Sequence, residues 1–281
     1  MSGKLYLVGT PIGNLGDISR RCAETLEMVD FIAAEDTRVS RKLLNHLDIR
    51  KSLVSYYEHN SRESGQRILE RLLAGESCAL VTDAGMPAIS DPGEDLVRLC
   101  AEAGVEVVAV PGPSAVVSAL ALSGLPTGRF AFEGFLPAAR KERRERLASL
   151  REEKRTMVFY EAPHKLAQTL GDLCAAFGED RPAALCREMT KLHEEVIRCT
   201  LGEAGARCAE SEPRGEFVLV VGGAPAAEEE KNEAGALDRA LELAASGLSA
   251  RDAVRQAAEE FSVGRSALYR AFQQARQSAD E

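Results

Sequence analysis

Three loops rich in glycine and proline contain the residues of this sequence that are best suited to chemistry. Residues 9–16 read GTPIGNLG, residues 82–93 read TDAGMPAISDPG, and residues 110–115 read VPGPSA. Glycine lets the backbone come close to a ligand, and the N–H groups at the start of a helix bind anionic and polar groups. We expect these loops to hold a small molecule mainly through main-chain groups.

The first loop also fits a second interpretation, a dinucleotide-binding turn. Glu35 and Asp36 end the next apolar run about twenty residues later, where that fingerprint has an acidic residue. The glycines at positions 9, 13 and 16 lack the GxGxxG spacing, however, and Pro11 has no backbone N–H to donate to a pyrophosphate. A tight turn without a ligand is the remaining alternative.

The other two loops have structural alternatives of their own. A connection as long as residues 82–93 is uncommon in a compact domain unless it is functional. Turn chemistry alone explains the Asp91-Pro92-Gly93 sequence within it. Ser114 stands at an N-cap position before an apolar helix, so capping is an alternative to ligand binding for its hydroxyl.

Short apolar runs alternate with amphipathic helical segments in the first part of the chain. The runs predict strands at residues 4–8, 31–34, 53–57, 78–81 and 105–110. This alternation is typical of a largely parallel α/β sheet. All three loops follow strand ends, which is the edge at which ligands of open α/β sheets bind.

The patterning predicts two α/β domains and a small C-terminal trihelical, helix-turn-helix-like domain. The first α/β domain covers residues 1–127 and the second covers residues 128–223. Residues 224–235 are acidic, rich in alanine and without periodicity, which favours a linker. Residues 236–281 hold three short helical segments, with Ser249 as an N-cap and a break at residues 261–264.

The composition indicates a globular protein that works in the cytoplasm. Of the 281 residues, 45% are hydrophobic and 28% are charged, and no apolar run approaches the length of a membrane span. The start of the chain lacks the pattern of a secretion signal. Seven dispersed cysteines without a CxxC pair predict reduced thiols and no metal site. The net charge of −9 argues against a general nucleic-acid coat protein.

Taken together and in this order, the three loops resemble those of the tetrapyrrole methylase (class III) family of S-adenosylmethionine-dependent methyltransferases. Within that family, the sequence is similar to the branch that methylates the ribose 2′-OH of a cytidine in the decoding region of small-subunit (16S) rRNA. The segments that carry this resemblance span nearly all of the predicted two-domain body and are LYLVGTPIGNLGDIS (5–19), AAEDTR (33–38), LVTDAGMPAISDPG (80–93), VPGPSAVVSALALSGLP (110–126), FEGFLP (132–137), FYEAPHK (159–165), REMTKLHEE (187–195) and RGEFVLVV (214–221).

The resemblance implies that S-adenosylmethionine lies in a cleft between the two α/β domains and that the protein is a homodimer. One departure concerns the acceptor, because relatives that modify tetrapyrroles have Gly-Asp-Pro where this sequence has Gly85-Met86-Pro87. The missing carboxylate argues against a tetrapyrrole substrate. Carried over position by position, the cofactor contacts are Pro11, Ile12, Gly85, Met86, Ile89, Ser114, Ala115, Glu161, Ala162 and Phe217.

A ribose hydroxyl is a poor nucleophile until its proton is accepted, so the implied reaction calls for a base within hydrogen-bond reach. Glu35, Asp36 and Arg38 form a charged cluster at a strand end, with a salt bridge supporting the next helix as the alternative. The remaining candidates have surface or capping alternatives. The catalytic candidates are Glu35, Asp36, Arg38, His59, Glu133 and Lys165, with His164, Lys191, His193 and Glu194 nearby.

Basic side chains near the predicted cleft are candidates for contact with rRNA phosphates. Residues 140–155 carry eight basic and four acidic side chains, which an ordinary solvated helix also explains. Tyr56 and Tyr57 are candidates for stacking a base, with burial in the core as the alternative. The predicted RNA contacts are Arg140, Lys141, Arg143, Arg144, Arg187, Lys191, Arg265 and Arg270.

Three functions therefore compete. The leading one is S-adenosylmethionine-dependent 2′-O-methylation of 16S rRNA within the small ribosomal subunit. The second is methylation of a tetrapyrrole or another small molecule, which the Met86 position disfavours. The third is a nucleic-acid-binding regulator that senses a nucleotide in its α/β body.

Overall fold

The computed structural model describes residues 2–210, 213–224 and 233–279. The chain divides into two compact units, Met1–Ala224 and Pro225–Glu281. Most of the predicted linker, residues 225–232, lies outside the described residues. No described helix is both long enough and apolar enough to cross a membrane.

The first sheet is entirely parallel and lies near the start of the chain. Its strand order is β3-β2-β4-β1-β5. Its apolar strands are covered by helices on both faces, as parallel sheets require. The strands are β1 (Lys4–Val8), β2 (Phe31–Ala34), β3 (Ser52–Ser55), β4 (Cys78–Val81) and β5 (Glu106–Val110), and the helices are α1 (Arg20–Met28), α2 (Thr37–His46), α3 (Ser61–Leu73) and α4 (Glu94–Glu102).

Alternate residues of each strand enter different cores. Leu5, Phe31 and Ala33 pack with buried residues of α3 and α4. Val8 and Ile32 pack on the other face, with buried residues of α1 and α2. This period of two sends every second side chain to the same face, so both faces of the sheet must be apolar.

The second sheet is mixed, with the order β6-β7-β10-β8-β9. Only β6 and β7 run parallel, and the other pairs are antiparallel. The strands are β6 (Phe130–Phe135), β7 (Thr156–Glu161), β8 (Pro182–Arg187), β9 (Glu195–Thr200) and β10 (Phe217–Val221), and the helices are α5 (Ala115–Ser123), α6 (Arg140–Ser149), α7 (Pro163–Phe177) and α8 (Leu201–Glu210).

Helix α5 joins the two sheets. It follows β5 in the first sheet, but its buried residues Val116, Ala119 and Leu120 pack against β8 and β10 of the second sheet. The predicted boundary after residue 127 separates this helix from the sheet that it covers. An almost uniformly apolar helix does not show in its sequence which neighbour it will contact.

Three helices follow in the second unit: α9 (Glu233–Ala245), α10 (Ala250–Glu260) and α11 (Arg265–Ala279). They share one apolar core, which includes Ala240, Val254 and Phe272. The Ser249 hydroxyl caps α10 by accepting a hydrogen bond of 3.2 Å from the Asp252 backbone N–H. A nucleic-acid-binding role for this unit stays a prediction.

Candidate active site

A cleft of about 700 Å³ lies at the ends of strands from both sheets. The first sheet contributes the loops that follow β1, β2, β4 and β5, and the second contributes residues from β6, β7, β10 and their connections. The residues that line it are Ile12, Glu35, Thr82, Asp83, Ala84, Gly85, Met86, Ile89, Ser90, Asp91, Ser114, Ala115, Phe135, Tyr160, Glu161, Ala162, Pro163, His164, Met189, Glu216, Phe217 and Val218. The three glycine- and proline-rich loops therefore meet in one cavity.

Backbone-to-backbone contact holds the three loops together. Thr10 and Gly85 exchange two main-chain hydrogen bonds, of 2.9 and 3.1 Å. A Cβ on Gly112 would stand 2.7 Å from the Gly9 carbonyl oxygen, and one on Gly9 would stand 2.7 Å from the Gly112 nitrogen. Both glycines are therefore required by close approach of the chain to itself.

The loop after β4 has an unusual backbone. Gly85 has a φ of +90°, and the non-glycine residues Ala88 and Ser90 have φ values of +66° and +65°. Such values are uncommon for residues with a Cβ, and they concentrate at functional sites. With this backbone conformation, the loop has Ile89, Ser90 and Asp91 in the wall of the cleft.

Five acidic residues line the cleft, and three of them lie in the loops of the first sheet: Glu35, Asp83 and Asp91. The Thr82 hydroxyl donates a hydrogen bond of 2.8 Å to Glu35 Oε2. Burial raises the pKa of Asp91 to about 6, and the negative charges of Glu35 and Asp83 add to the rise. Burial also raises the pKa of Asp83. A carboxylate that titrates near neutral pH is suited to accept a proton.

Of the acidic–basic cluster, only Glu35 reaches the cleft. Asp36 caps α2 by accepting a hydrogen bond of 2.8 Å from the Arg38 backbone N–H, and its carboxylate pairs with the Arg38 guanidinium at 2.6 Å. These hydrogen bonds from Arg38 lower the pKa of Asp36 to about 2, which makes it a weak base. The structure therefore favours the salt-bridge alternative for Asp36 and Arg38.

The other three catalytic candidates do not line the cleft. Glu133 pairs with Arg146, whose Nε donates to it at 3.0 Å. His59 lies on the surface in edge-to-face contact with Tyr57. Lys165 is exposed on α7, one residue beyond the cleft-lining His164. The structure places these three side chains outside the lining of the cleft, and their catalytic roles stay predictions.

Nine of the ten predicted cofactor contacts line the cleft, and the exception is Pro11. The hydrogen bonds between Thr10 and Gly85 hold the loop after β1 against the loop after β4. Of residues 9–16, only Ile12 reaches the cavity. Glu161 lines the cleft, but its carboxylate is already engaged within the protein. It accepts hydrogen bonds from the Thr169 hydroxyl and the Ala162 backbone N–H.

Ser114 begins α5, but its side chain makes no capping hydrogen bond. Within the described residues, no hydrogen bond to its hydroxyl is found, and the residue lines the cleft. The capping alternative is thus wrong for this side chain. A hydroxyl in a cavity wall at a helix start suits a polar ligand group.

The predicted RNA contacts fall into two groups: side chains that are exposed to solvent, and side chains that are already paired with other groups of the protein. Arg140, Lys141 and Arg144 are exposed on α6. Arg143, in contrast, is only 4% exposed and forms an ion pair of 2.9 Å with Asp172 on α7. The prediction of an RNA contact is wrong for Arg143, because its guanidinium holds α6 to the core.

The remaining basic candidates already have partners on the protein. Lys191 Nζ contacts Glu188 and Glu216, both at 2.9 Å. Arg187 Nε donates a hydrogen bond of 2.6 Å to the Arg214 carbonyl. Arg265 pairs with Glu259, and Arg270 is exposed on α11. Tyr56, a candidate for base stacking, is buried in the first sheet's core at 1% exposure.

Several cleft residues were not assigned a role from the sequence. Turn chemistry is sufficient to explain Asp91 in the sequence, and no sequence pattern assigns a role to Asp83, Tyr160 or Glu216. The unusual length and two aspartates of the β4 loop were the available signal for Asp83 and Asp91. Tyr160 and Glu216 lie in β7 and just before β10, and only the packing of the two sheets brings them to the loops.

Comparison with known proteins gives consistent matches. The family model "Tetrapyrrole (Corrin/Porphyrin) Methylases" matches residues 4–205. The chain is 48% identical to Ribosomal RNA small subunit methyltransferase I of Synechocystis over 95% of this chain and 96% of that protein. It is 46% identical to the protein of the same name from Escherichia coli O157:H7, over 95% of this chain and 94% of the other.

A solved structure shows the same fold at lower identity. The uroporphyrin-III C-methyl transferase from Thermus thermophilus, complexed with S-adenyl homocysteine, superposes with a TM-score of 0.55. The match covers 78% of this chain and 97% of that chain, at 20% identity. The described two-sheet architecture is therefore similar to that of a methyltransferase.

Proposed function

We propose that this chain, which belongs to the tetrapyrrole methylase family, is a methyltransferase that uses S-adenosylmethionine to methylate small-subunit rRNA. The observation that carries the proposal is the 48% identity to a relative named as a small-subunit rRNA methyltransferase, over 95% of this chain. A match of that extent includes the residues of both sheets. The small ribosomal subunit, in the cytoplasm, is the proposed partner, and a homodimer is the proposed assembly.

The residues of the cleft fit S-adenosylmethionine. Ile12, Met86 and Val218 offer an apolar surface for the adenine, and the carboxylates of Glu35 and Asp83 suit the cationic sulfur. The uncapped Ser114 hydroxyl and the start of α5 suit the carboxylate of the methionine end.

The finer proposal is transfer to the ribose 2′-OH of a cytidine in the decoding region of 16S rRNA. When bound, the cofactor supplies a methyl group on a positively charged sulfur, and the electron pair of the broken C–S bond leaves with that sulfur. Asp91 accepts the proton of the hydroxyl as its oxygen bonds to the methyl carbon. Its half-buried position and raised pKa support this role over that of Asp36.

The experiment uses small ribosomal subunits from a strain that lacks the gene. The purified protein and radiolabelled S-adenosylmethionine are added, and we expect label in rRNA as 2′-O-methylcytidine when the nucleosides are separated. Absence of label from rRNA contradicts rRNA methylation, whereas label on a base contradicts only the ribose assignment. Transfer to a tetrapyrrole in parallel reactions would favour the small-molecule alternative.

A further inference from the structure

We infer that a second cavity next to the cleft binds the base of the acceptor nucleotide, and that it selects a base with an exocyclic amino group. The inference rests on the proposed function, because it assigns a position to the RNA that the cleft would methylate. The cavity has a volume of about 280 Å³ and lies at the N-terminal ends of α3 and α4.

The two cavities share part of their walls. Ser90 and Asp91 line both the cleft and the second cavity. In a nucleotide the ribose connects the base to the backbone. With the base in the second cavity and the methyl donor in the cleft, the ribose lies along Ser90 and Asp91. The 2′-OH then faces the proposed proton acceptor.

One wall of the second cavity contains a buried tyrosine. Tyr56 lines this cavity and is 1% exposed, and within the described residues its hydroxyl makes no hydrogen bond of good geometry, although the Leu96 backbone N–H lies near it. Its ring fits against α3, where Gly65 leaves room: a Cβ there would stand 3.7 Å from Tyr56 Cε2. Buried hydroxyls are normally paired, so an unpaired one in a cavity wall points to a polar ligand.

The charges around the cavity define which ligand it accepts. Its lining includes the carboxylates of Glu58, Asp91, Glu94 and Asp95, and none of its lining residues is basic. A phosphate is therefore excluded, although a helix N-terminus alone would favour one. Carboxylates accept hydrogen bonds from N–H groups, so the cavity suits the amino-bearing edge of a base such as cytosine.

Glu58 is the acceptor best placed for this role. Asp95 is already paired with Arg98 at 2.8 Å, whereas among the described residues no hydrogen bond or ion pair is found for the Glu58 carboxylate, and only the Glu58 backbone carbonyl accepts a hydrogen bond, from the Ser61 N–H. The start of α4 supplies donors, because its N-cap Gly93 has no side chain to cap the first turn. Those N–H groups suit the carbonyl oxygen of the same base.

The test compares small subunits that carry cytidine or uridine at the methylated position, after that position has been mapped. We expect the wild-type protein to methylate the cytidine subunits at least tenfold more efficiently in kcat/KM. Glu58→Gln should abolish this preference, since an amide offers a donor as well as an acceptor. Glu70→Gln, on the exposed face of α3, is the matched control and should keep the preference.

A second variant tests the buried hydroxyl. Tyr56→Phe should lower kcat/KM at least fivefold without lowering the melting temperature, because it removes a hydroxyl that makes no hydrogen bond of good geometry within the described residues. The dissociation constant for S-adenosylmethionine, measured by calorimetry, should be unchanged in both cavity variants.

The outcomes separate the two proposals. If wild-type protein labels no small subunit, the proposed function fails. If it labels cytidine and uridine subunits equally, or if Glu58→Gln keeps the preference, rRNA methylation stands and the base pocket is overturned. An unchanged kcat/KM for Tyr56→Phe also overturns it.

Discussion

Asp36 and Asp91 have the same side chain, but their pKa values are shifted in opposite directions. Hydrogen bonds from Arg38 lower the pKa of Asp36 to about 2. Burial, with the nearby charges of Glu35 and Asp83, raises the pKa of Asp91 to about 6. Asp91 in turn helps burial raise the pKa of Tyr160 to about 12. At the scale of the residue, the cleft makes one aspartate a base near neutral pH.

Asp91→Asn should therefore reduce kcat by about 100-fold or more, the range for loss of a general base. In the wild-type protein, kcat/KM should fall as the pH drops through about 6, because protonated Asp91 cannot accept a proton. The variant should lack this decline. Asp36→Asn, as the control, should keep it, and a profile of Asp91→Asn that retains the acidic limb would contradict the assignment.

The raised pKa of Asp91 also affects the stability of the folded protein. Because the folded-state pKa of Asp91 lies above its unfolded value of 3.8, its ionisation destabilises the folded state as the pH rises from about 4 to 6. Asp91→Asn should then unfold at a higher temperature than wild type at pH 7.5, and this difference should disappear at pH 4. A variant that is less stable at pH 7.5 would disagree with this reasoning.

Arg143 and Lys141 are basic residues of the same helix that differ in burial. The Arg143–Asp172 pair is 4% and 24% exposed, whereas the Lys141 side chain is 88% exposed. Arg143→Ala should lower the free energy of unfolding by about 3–5 kcal/mol, as expected when one partner of a buried pair is lost. Lys141→Ala should change it by less than about 0.5 kcal/mol in the same urea titration. Equal stability of the two variants would refute the structural role of Arg143.

At the scale of the element, the site depends on how closely the loops after β1 and β5 approach each other. Gly9 and Gly112 are in contact through their main chains, and the loop after β4 bridges to Thr10. The loop after β8 joins them, since a Cβ on Gly13 would stand 2.6 Å from Lys191 Cγ. The cleft is therefore closed by backbone packing between elements that are far apart in sequence.

Gly112→Ala should weaken S-adenosylmethionine binding at least tenfold and lower the melting temperature. Its methyl group would stand 2.7 Å from the Gly9 carbonyl oxygen, and neither backbone can move without displacing a strand end. Gly128→Ala is the control, because a Cβ there has nothing within 4 Å. Calorimetry measures the dissociation constant of both variants, and an unaffected Gly112→Ala would show that the loops adjust freely.

At the scale of the whole molecule, the cores are divided between the two units. The described clusters of buried apolar residues that cover the two sheets extend no further than Val221. The helices α9, α10 and α11 have a core of their own. Each unit therefore buries apolar surface independently, which is the property expected of a separate domain.

Ending the chain after Ala224 should leave the two-sheet unit folded, with cofactor affinity within about twofold of the full chain. We expect its affinity for small subunits to decrease, because Arg270 and the other exposed basic residues of α11 are lost. Filter binding at two salt concentrations measures the decrease. An unchanged affinity would remove the RNA role proposed for the helical unit, and an unfolded fragment would contradict the division of the cores.

The sequence by itself determined the strands of the first sheet and the positions of the three loops. These follow from local spacing, since strand periodicity, glycine placement and capping residues act within a few positions of the chain. The family was indicated by the resemblance of whole segments to known methyltransferases. Nine of the ten cofactor positions carried over from the resemblance line one cleft. Only the tertiary structure decided that α5 covers the second sheet, that Arg143 is buried and that Asp91, not Asp36, titrates near neutral pH. Burial and charge neighbours are set by residues distant in sequence, so no local pattern encodes them.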